Sequence, residues 1–509
     1  MLASTHSGSL IGVCATKVSV EANSGERGDP RVVLVGLPDA AVKESLDRVH
    51  SSLSNSGFSL PRTRVTINLA PADLKKEGSS FDLPVALCLL SSTKQLSPTP
   101  LEDFLIAGEL GLSGQIRPIR GGISMALLAK HQKLKGVILP RESAKEASIV
   151  KGVDVFGVDS LAQAVDFLEG KVHLEPVLSS HQVLKDAVGL EHDFSDIKGQ
   201  HNLRRAVEVA VSGGHNILIS GPPGSGKSMI AKRIPTILPK PSLDEFIEVA
   251  RIYSAVGQGG ALNADSMARP FRSPHHTISD VGLIGGGTNP GPGEISLAHN
   301  GVLYLDELPE FKRSVLEVLR QPLEDGEVTI SRSAGKITLP SQFMFVASMN
   351  PCPCGFLGDS NNSCRCSIPQ IQKYRGKISG PLLDRIDIHI DAPAVDIAEI
   401  QDSEQGESSK VIRQRVEQCR DIQSKRFLHE KFQTNASMTD SMVEKVCSLS
   451  TENQNILLQA MKHLSLSVRA YTRILKVSRT IADLDGCKSI ERNHLLEAIQ
   501  YRNLDRKII

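Results

Sequence analysis

Net charge, long apolar runs and export signals are all missing from this 509-residue chain. Lysine and arginine total 58 against 57 aspartate and glutamate, a net charge of +1. There is no bulk basic excess to draw in nucleic acid or an anionic membrane, so any basic footprint must be local. No apolar run approaches the roughly 18 residues that span a bilayer; Leu83 to Leu90 is typical and far too short. The N-terminus lacks the basic flank, apolar core and cleavage site of a signal peptide. The expectations are a cytoplasmic protein and no membrane partner. Cysteine is sparse as well: nine in a large chain without export signals read as reduced thiols rather than a disulfide framework. The rest of the composition, 40% hydrophobic and 23% charged, is that of a globular protein. The length allows roughly three domains of about 150 residues each.

Against this background one stretch stands out. Asn216 to Ala231 reads NILISGPPGSGKSMIA. Asn216 to Ser220 is a short apolar run, read as a buried strand. Gly221, Pro222, Pro223, Gly224, Ser225, Gly226, Lys227 and Ser228 fit G-x-x-x-x-G-K-[ST], and a helix-compatible segment follows. The glycines let the backbone turn so that consecutive N–H groups face inward. Those groups and the helix N-terminus would hold the phosphates of ATP. Lys227 would be the point charge on the β- and γ-phosphates, and the Ser228 hydroxyl would reach Mg²⁺. Chance should give this pattern on the order of 0.02 times in such a chain.

The pattern needs partners downstream. Gly301 to Leu308 reads GVLYLDEL, a buried-strand run ending in Asp306 and Glu307. In a Walker B arrangement Asp306 would help hold Mg²⁺ and Glu307 would orient the attacking water; the bland alternative is a solvated acidic cap. Phe343 to Ser348 is a further apolar strand that ends at Met349 and Asn350. Asn350 stands where ATPases of the AAA+ class place sensor 1. Arg385, in GPLLDRIDIHI, stands at the arginine-finger position, and Arg469, in LSVRAYTRIL, at sensor 2. A surface salt bridge is the alternative for either arginine.

The N-terminal part reads as a compact α+β region. Val32 to Val35 is a strand, Asp39 caps a helix over Ala40 to Leu53, and Arg64 to Leu69 alternates as a strand. Ile106 to Ile119 looks like a hairpin turned at Ser113-Gly114, and Val137 to Leu139 and Val153 to Val158 are short strands. Through KEGSS at Lys76 to Ser80 and GELGLSGQIRPI at Gly108 to Ile119 it resembles the Lon-type protease fold. Lon proteases use a serine with a lysine base. Ser80 falls at the serine position, but Ile123 and Ser124 stand where the lysine would lie. A Lon-like fold without peptidase activity is expected, with Ser80 a helix-cap or turn serine.

Longer stretches are more specific still. FRSPHHTIS at Phe271 to Ser279, PGEISLAHNGVLYLDELPEF at Pro292 to Phe311 and RQPLEDGEV at Arg320 to Val328 resemble the magnesium-chelatase-like ATPases of the YifB/ComM family. The resemblance covers nearly the whole chain. It implies an α/β AAA+ P-loop core (193–395) with a C-terminal helical lid (396–509), behind a Lon-like domain (1–171) and a linker (172–192). It also implies a homo-hexameric, ATP-hydrolysing motor that migrates DNA branches in recombination or natural transformation. The alternative within the same resemblance is a chelatase-type motor acting on a protein or porphyrin-metallation partner; no DxSxS motif of its adhesion-domain partners is present. A protease and a non-catalytic scaffold are the remaining readings, opposed by the missing lysine and by the Walker pair.

Two insertions suit a ring. Ser273 to Gly293, rich in Gly and Pro, reads as a mobile loop facing a pore, with His275 and His276 either hydrogen-bonded loop residues or pore groups. Val328 to Pro340 reads as a hairpin turned at Ser333-Ala334-Gly335. Arg332 and Lys336 flank its tip, and six copies would line a channel with charge suited to a DNA backbone; a solvated hairpin is the alternative. Finally, Cys352, Cys354, Cys364 and Cys366 form C-x-C…C-x-C. Four thiolates in a reducing compartment suggest structural, tetrahedral zinc, although the pairs are tighter than the usual C-x₂₋₄-C; free thiols or a disulfide formed on oxidation are the alternatives. Past a polar stretch at Val395 to Lys410, helices are expected at Val411 to Phe427, Ser441 to Leu464, Val468 to Leu484 and Ile490 to Ile499.

Overall fold

Two long antiparallel strands, Leu2–Ile11 and Cys14–Glu26, open the chain. Sequence reading misses both. The inward face of the first carries Thr5, Ser7 and Ser9, all buried and polar, which hides the alternation, while Val18, Val20 and Ala22 of the second point into the core. The computed structural model describes residues 1–26, 29–178, 192–259, 268–287, 291–332, 335–359, 362–394, 406–430, 432–464 and 466–502. Most of the expected linker, most of the polar stretch from Val395, and the hairpin tip at Ser333 and Ala334 lie outside the described residues.

The chain divides into two compact units. The first comprises Met1–Asp186, Ser242–Met267 and Pro290–Pro292; the second comprises Ala187–Pro241, Ala268–Asn289 and Gly293–Ile509. The helix Leu243–Ala255 therefore counts with the N-terminal unit.

The first unit is built on a seven-stranded mixed sheet. Its order is Val32–Val35, Arg64–Ala70, Cys14–Glu26, Leu2–Ile11, Phe104–Ile106, Gly136–Pro140 and Asp154–Val158. Asp39 caps the helix Ala40–Asn55 as expected, its side chain accepting from the Val42 N–H at 2.7 Å. The apolar run from Leu83 is the helix Asp82–Ser92, with all eleven residues buried. Buried Asp82 is satisfied by the Arg48 guanidinium at 2.7 and 3.0 Å. The hairpin Glu109–Leu110 with Ile116–Arg117 forms around the Ser113-Gly114 turn, where Gly114 holds a φ of +84°.

The second unit carries a parallel five-stranded sheet in the order Phe271–Arg272, Val302–Leu305, Met344–Met349, Ile217–Ser220 and Ile388–Asp391. Counted along the chain this is 2-3-4-1-5. The chain leaves the first strand for the far edge, works back, and adds the fifth strand on the other side. The switch point is therefore the C-terminal end of Ile217–Ser220, where open α/β sheets bind ligands. The strands are buried along nearly their whole length, as parallel strands covered on both faces must be. The helices Ser409–Arg426, Val468–Leu484 and Arg492–Gln500 share this unit's hydrophobic core.

Two sequence expectations need correction here. Ser441 to Leu464 is not one helix: it breaks into Asp440–Val446 and Thr451–Leu464. Ser450 causes the restart, its hydroxyl accepting from the Asn453 N–H at 3.3 Å. The Gly/Pro-rich insertion is not irregular throughout. Asp280–Ile284 is a short helix capped by Ser279, while 288–290 lie outside the described residues. The hairpin Glu327–Arg332 with Gly335–Pro340 forms as expected, in register from Glu327 opposite Pro340 to Arg332 opposite Gly335.

Candidate active site

The loop between Ser220 and the helix Lys227–Ile237 carries the first half of the site. Gly224 and Gly226 hold φ near +80°, as the turning role requires. Gly221 is glycine for a different reason. A Cβ there would lie 2.3 Å from the Ala392 carbonyl oxygen, so the loop packs backbone to backbone against the end of the fifth strand.

Lys227 is buried at the mouth of this loop. Its Nζ donates to the carbonyl oxygens of Gly221 at 2.7 Å and Pro222 at 2.8 Å, and lies 3.4 Å from Asn350 Oδ1. Burial lowers its pKa, opposed by the charges of Asp306 and Glu307. Lys227, Asp306, Glu307 and Asn350 thus converge, although 129 positions separate Gly221 from Asn350 in sequence.

The second half is a hydrogen-bonded knot around Asp306. Ser228 Oγ donates to Asp306 Oδ2 at 2.8 Å. Ser348 donates to the other carboxylate oxygen, and Tyr304 lies 3.2 Å from both serine hydroxyls. Burial pushes the Asp306 carboxyl up, but hydrogen bonds from Ser348, Ser228, Tyr304 and the Glu307 N–H outweigh it and hold the group below the usual carboxylate range. Asp306 is an anion fixed in place, which is what a divalent cation needs from a carboxylate. Glu307 follows on a left-handed backbone, φ 53° and ψ 51°, with its side chain exposed. A non-glycine residue held there is strained, and such strain collects at functional sites. Its N–H is anchored 3.3 Å from Ser348 Oγ.

Sequence reading misses Ser348 and Tyr304. They lie two residues before Asn350 and Asp306 respectively, on strands that are neighbours in the sheet. That i−2 position on the same strand face is the available signal.

The two remaining arginines sit elsewhere. Arg385 is buried, with Nη2 2.6 Å from Glu324 Oε1 and Nη1 donating to the Pro381 carbonyl at 2.7 Å. Arg469 is exposed on the first turn of the helix Val468–Leu484, which Ser467 caps. The two segments meet. Ser467 Oγ lies 3.5 Å from Asp384 Oδ1, and Arg473 pairs with buried Asp387 at 2.8 Å.

The four cysteines also converge. Their sulfurs all lie within 4.8 Å of one another, with Cys352 to Cys354 at 3.3 Å and Cys364 at 3.6 Å from both. His275 and His276 stack on each other, centroids 4.0 Å apart, and His275 bonds Thr277, which favours the loop reading. Lys336 is exposed on its hairpin, and the Arg332 side chain is outside the described part of the structure. Among the described residues no helix is long and apolar enough to cross a membrane.

Comparison with known proteins agrees with this geometry. Residues 193–400 match the family model described as magnesium chelatase, subunit ChlI. Residues 406–502 match the model of that subunit's C-terminal region, and 20–143 a further model described as subunit ChlI of Mg-chelatase. The chain is 42% identical over 514 residues to the uncharacterized protein YifB of Escherichia coli K12, covering 100% of this chain and 98% of that protein. It is 44% identical over 511 residues to the competence protein ComM of Haemophilus influenzae, covering 99% and 98%. A shorter stretch of 141 residues, 28% of this chain, is 32% identical to 29% of the DNA repair protein RadA of Haemophilus influenzae.

Proposed function

The chain belongs to the magnesium-chelatase-like YifB/ComM family, and from that premise we propose that it is an ATP-hydrolysing AAA+ motor, assembled as a homo-hexamer, that acts on DNA by branch migration or related remodelling. The observation that carries the reading is the convergence of Lys227, Ser228, Asp306 and Asn350 at the switch point of a parallel sheet.

Each residue has a task in that reading. Inward N–H groups of the loop from Gly221 and the start of the following helix bind the ATP phosphates. Lys227 places its charge on the β- and γ-phosphates. Ser228 and Asp306 fit Mg²⁺, being a hydroxyl and a fixed carboxylate 2.8 Å apart; held there, the ion would supply positive charge against the charge that develops in the reaction. Glu307, projecting from its strained backbone into solvent, orients the attacking water, and Asn350 polarises the γ-phosphate side. Arg385 serves the neighbouring subunit's nucleotide, and Arg469 reads the same event from the C-terminal helices, which act as a lid. Arg332 and Lys336 contact the DNA backbone. The N-terminal unit is a Lon-like domain without peptidase activity: Ser124, at the position of the missing lysine, is buried and donates to the Val13 carbonyl at 2.7 Å.

A relative named as a competence protein and a partial match to a DNA repair protein support DNA as the substrate. The family description itself favours a second reading, a motor that drives a protein or porphyrin-metallation partner. ATP hydrolysis measured with and without single-stranded, duplex and four-way-junction DNA separates the two, with Lys227→Ala as the blank. DNA stimulation that vanishes in the variant supports the motor on DNA. Hydrolysis indifferent to every DNA moves the assignment to the second reading.

A further inference from the structure

The segment after Asn350 does more than connect. The Pro351 carbonyl accepts a hydrogen bond from Arg375 Nε at 3.1 Å, and the Asn350 N–H points at the Tyr374 hydroxyl. Both partners lie on the helix Ile368–Arg375. Between the asparagine and that helix runs the loop with the four cysteines. A Cβ at Gly355 would meet Pro223 of the phosphate loop at 2.7 Å, so the cysteine loop packs directly on that loop.

We propose that Cys352, Cys354, Cys364 and Cys366 hold one zinc ion, and that this ion clamps the loop carrying Asn350 against the phosphate loop. For zinc at about 2.3 Å from each sulfur, the edge of the tetrahedron is about 3.8 Å. The sulfur separations of 3.3, 3.6 and 3.6 Å fall a few tenths short of that edge and far from a disulfide bond, so the sulfurs need only spread slightly to ligate. Backbone N–H groups of Phe356 and Arg365 aim at the Cys354 sulfur and that of Cys366 at Cys364, as thiolate ligands require. Four thiolates and one Zn²⁺ leave a net charge of −2, and the Arg375 guanidinium, close enough to Cys352 to interact with its charge, offsets part of it.

The clamp has a mechanical consequence. The loop spans Cys352 to Cys366 and offers little apolar burial of its own, Cys352 being its one fully buried cysteine. Without a cross-link, the contact of Gly355 on Pro223 would rest on a loop held only at its ends, where Pro351 bonds Arg375.

The zinc assignment stands independently of the motor reading; the coupling to nucleotide rests on it. The experiment uses full-length protein purified without a histidine tag, in reductant and without chelator. Atomic absorption should give about one zinc per chain, and the double variant Cys364→Ser/Cys366→Ser should fall at least about tenfold. Because that variant could misfold, cobalt is loaded into the wild-type protein as well. Thiolate-to-cobalt charge-transfer bands, abolished by added zinc, are expected. Zinc below about half an equivalent together with no cobalt spectrum would overturn the site. Binding of a fluorescent ATP analogue should weaken roughly tenfold when zinc is stripped from wild-type protein and recover on reloading. Affinity unchanged by stripping would overturn the clamp while leaving the motor reading untouched.

Discussion

Arg385 is ion-paired with Glu324 at 2.6 Å within its own chain. Under the proposed function, in which Arg385 serves a neighbouring subunit's phosphates, the guanidinium would have to give up Glu324 to do so. Arg385→Ala should lower hydrolysis at least about 100-fold while nucleotide binding persists. Mixing Arg385→Ala chains with Lys227→Ala chains should restore activity, because interfaces then form that pair an intact phosphate loop with an intact arginine. No recovery on mixing would place the action of Arg385 within one chain.

The knot around Asp306 makes a graded prediction. Glu307→Gln should retain ATP and lose at least about 100-fold in turnover, since only water orientation is removed. Ser348→Ala removes a donor that holds Asp306. It should raise the Mg²⁺ concentration for half-maximal hydrolysis about tenfold with a smaller change in the plateau. An unchanged Mg²⁺ requirement would show that Ser348 does not position the carboxylate.

Stability should fall on mild acidification. His215 is fully buried, 2.8 Å from Thr480 and 3.4 Å from Asp387, with Arg473 and Lys476 nearby. Burial and the two cations lower its pKa against the pull of Asp387, and burial does the same for His389. A histidine whose folded pKa lies below its unfolded value contributes stability that is present above about pH 6.5 and lost as pH falls below it. The thermal midpoint should therefore drop between pH 7 and pH 5. Asp387 is held well below the usual carboxylate range, its burial outweighed by Arg473, His215 and Lys476, so it stays charged throughout that window. Asp387→Asn strands Arg473 and should cost about 3–5 kcal/mol. A midpoint flat across pH 5 to 7 would contradict the buried-histidine account.

For DNA, replacing Arg332 or Lys336 with alanine should reduce the slope of log affinity against log salt by about 1 for each phosphate no longer neutralised. Basal hydrolysis without DNA should be unchanged. An unaltered salt slope would remove the hairpin from the DNA path.

The candidate site is legible in sequence because its parts are local. A strand, a glycine turn and a helix start lie within Asn216 to Ala231, and an apolar strand ends at Asp306 and Glu307. What brings those parts together is not local. Ser348 and Tyr304 matter only because two strands some 40 residues apart are neighbours in the sheet, and nothing in either segment declares that pairing. The opening strands escape notice because their polar faces break the apolar pattern. Gly221 belongs to the motif, yet its glycine is demanded by the close approach to Ala392 rather than by conformational freedom.

The most direct test of the account is dissociation of a fluorescently labelled four-way DNA junction by the full-length protein with ATP and Mg²⁺. Branch migration that needs hydrolysable ATP, and that disappears in Lys227→Ala and Glu307→Gln, is the predicted result. A junction left intact by wild-type protein that hydrolyses ATP normally would contradict it.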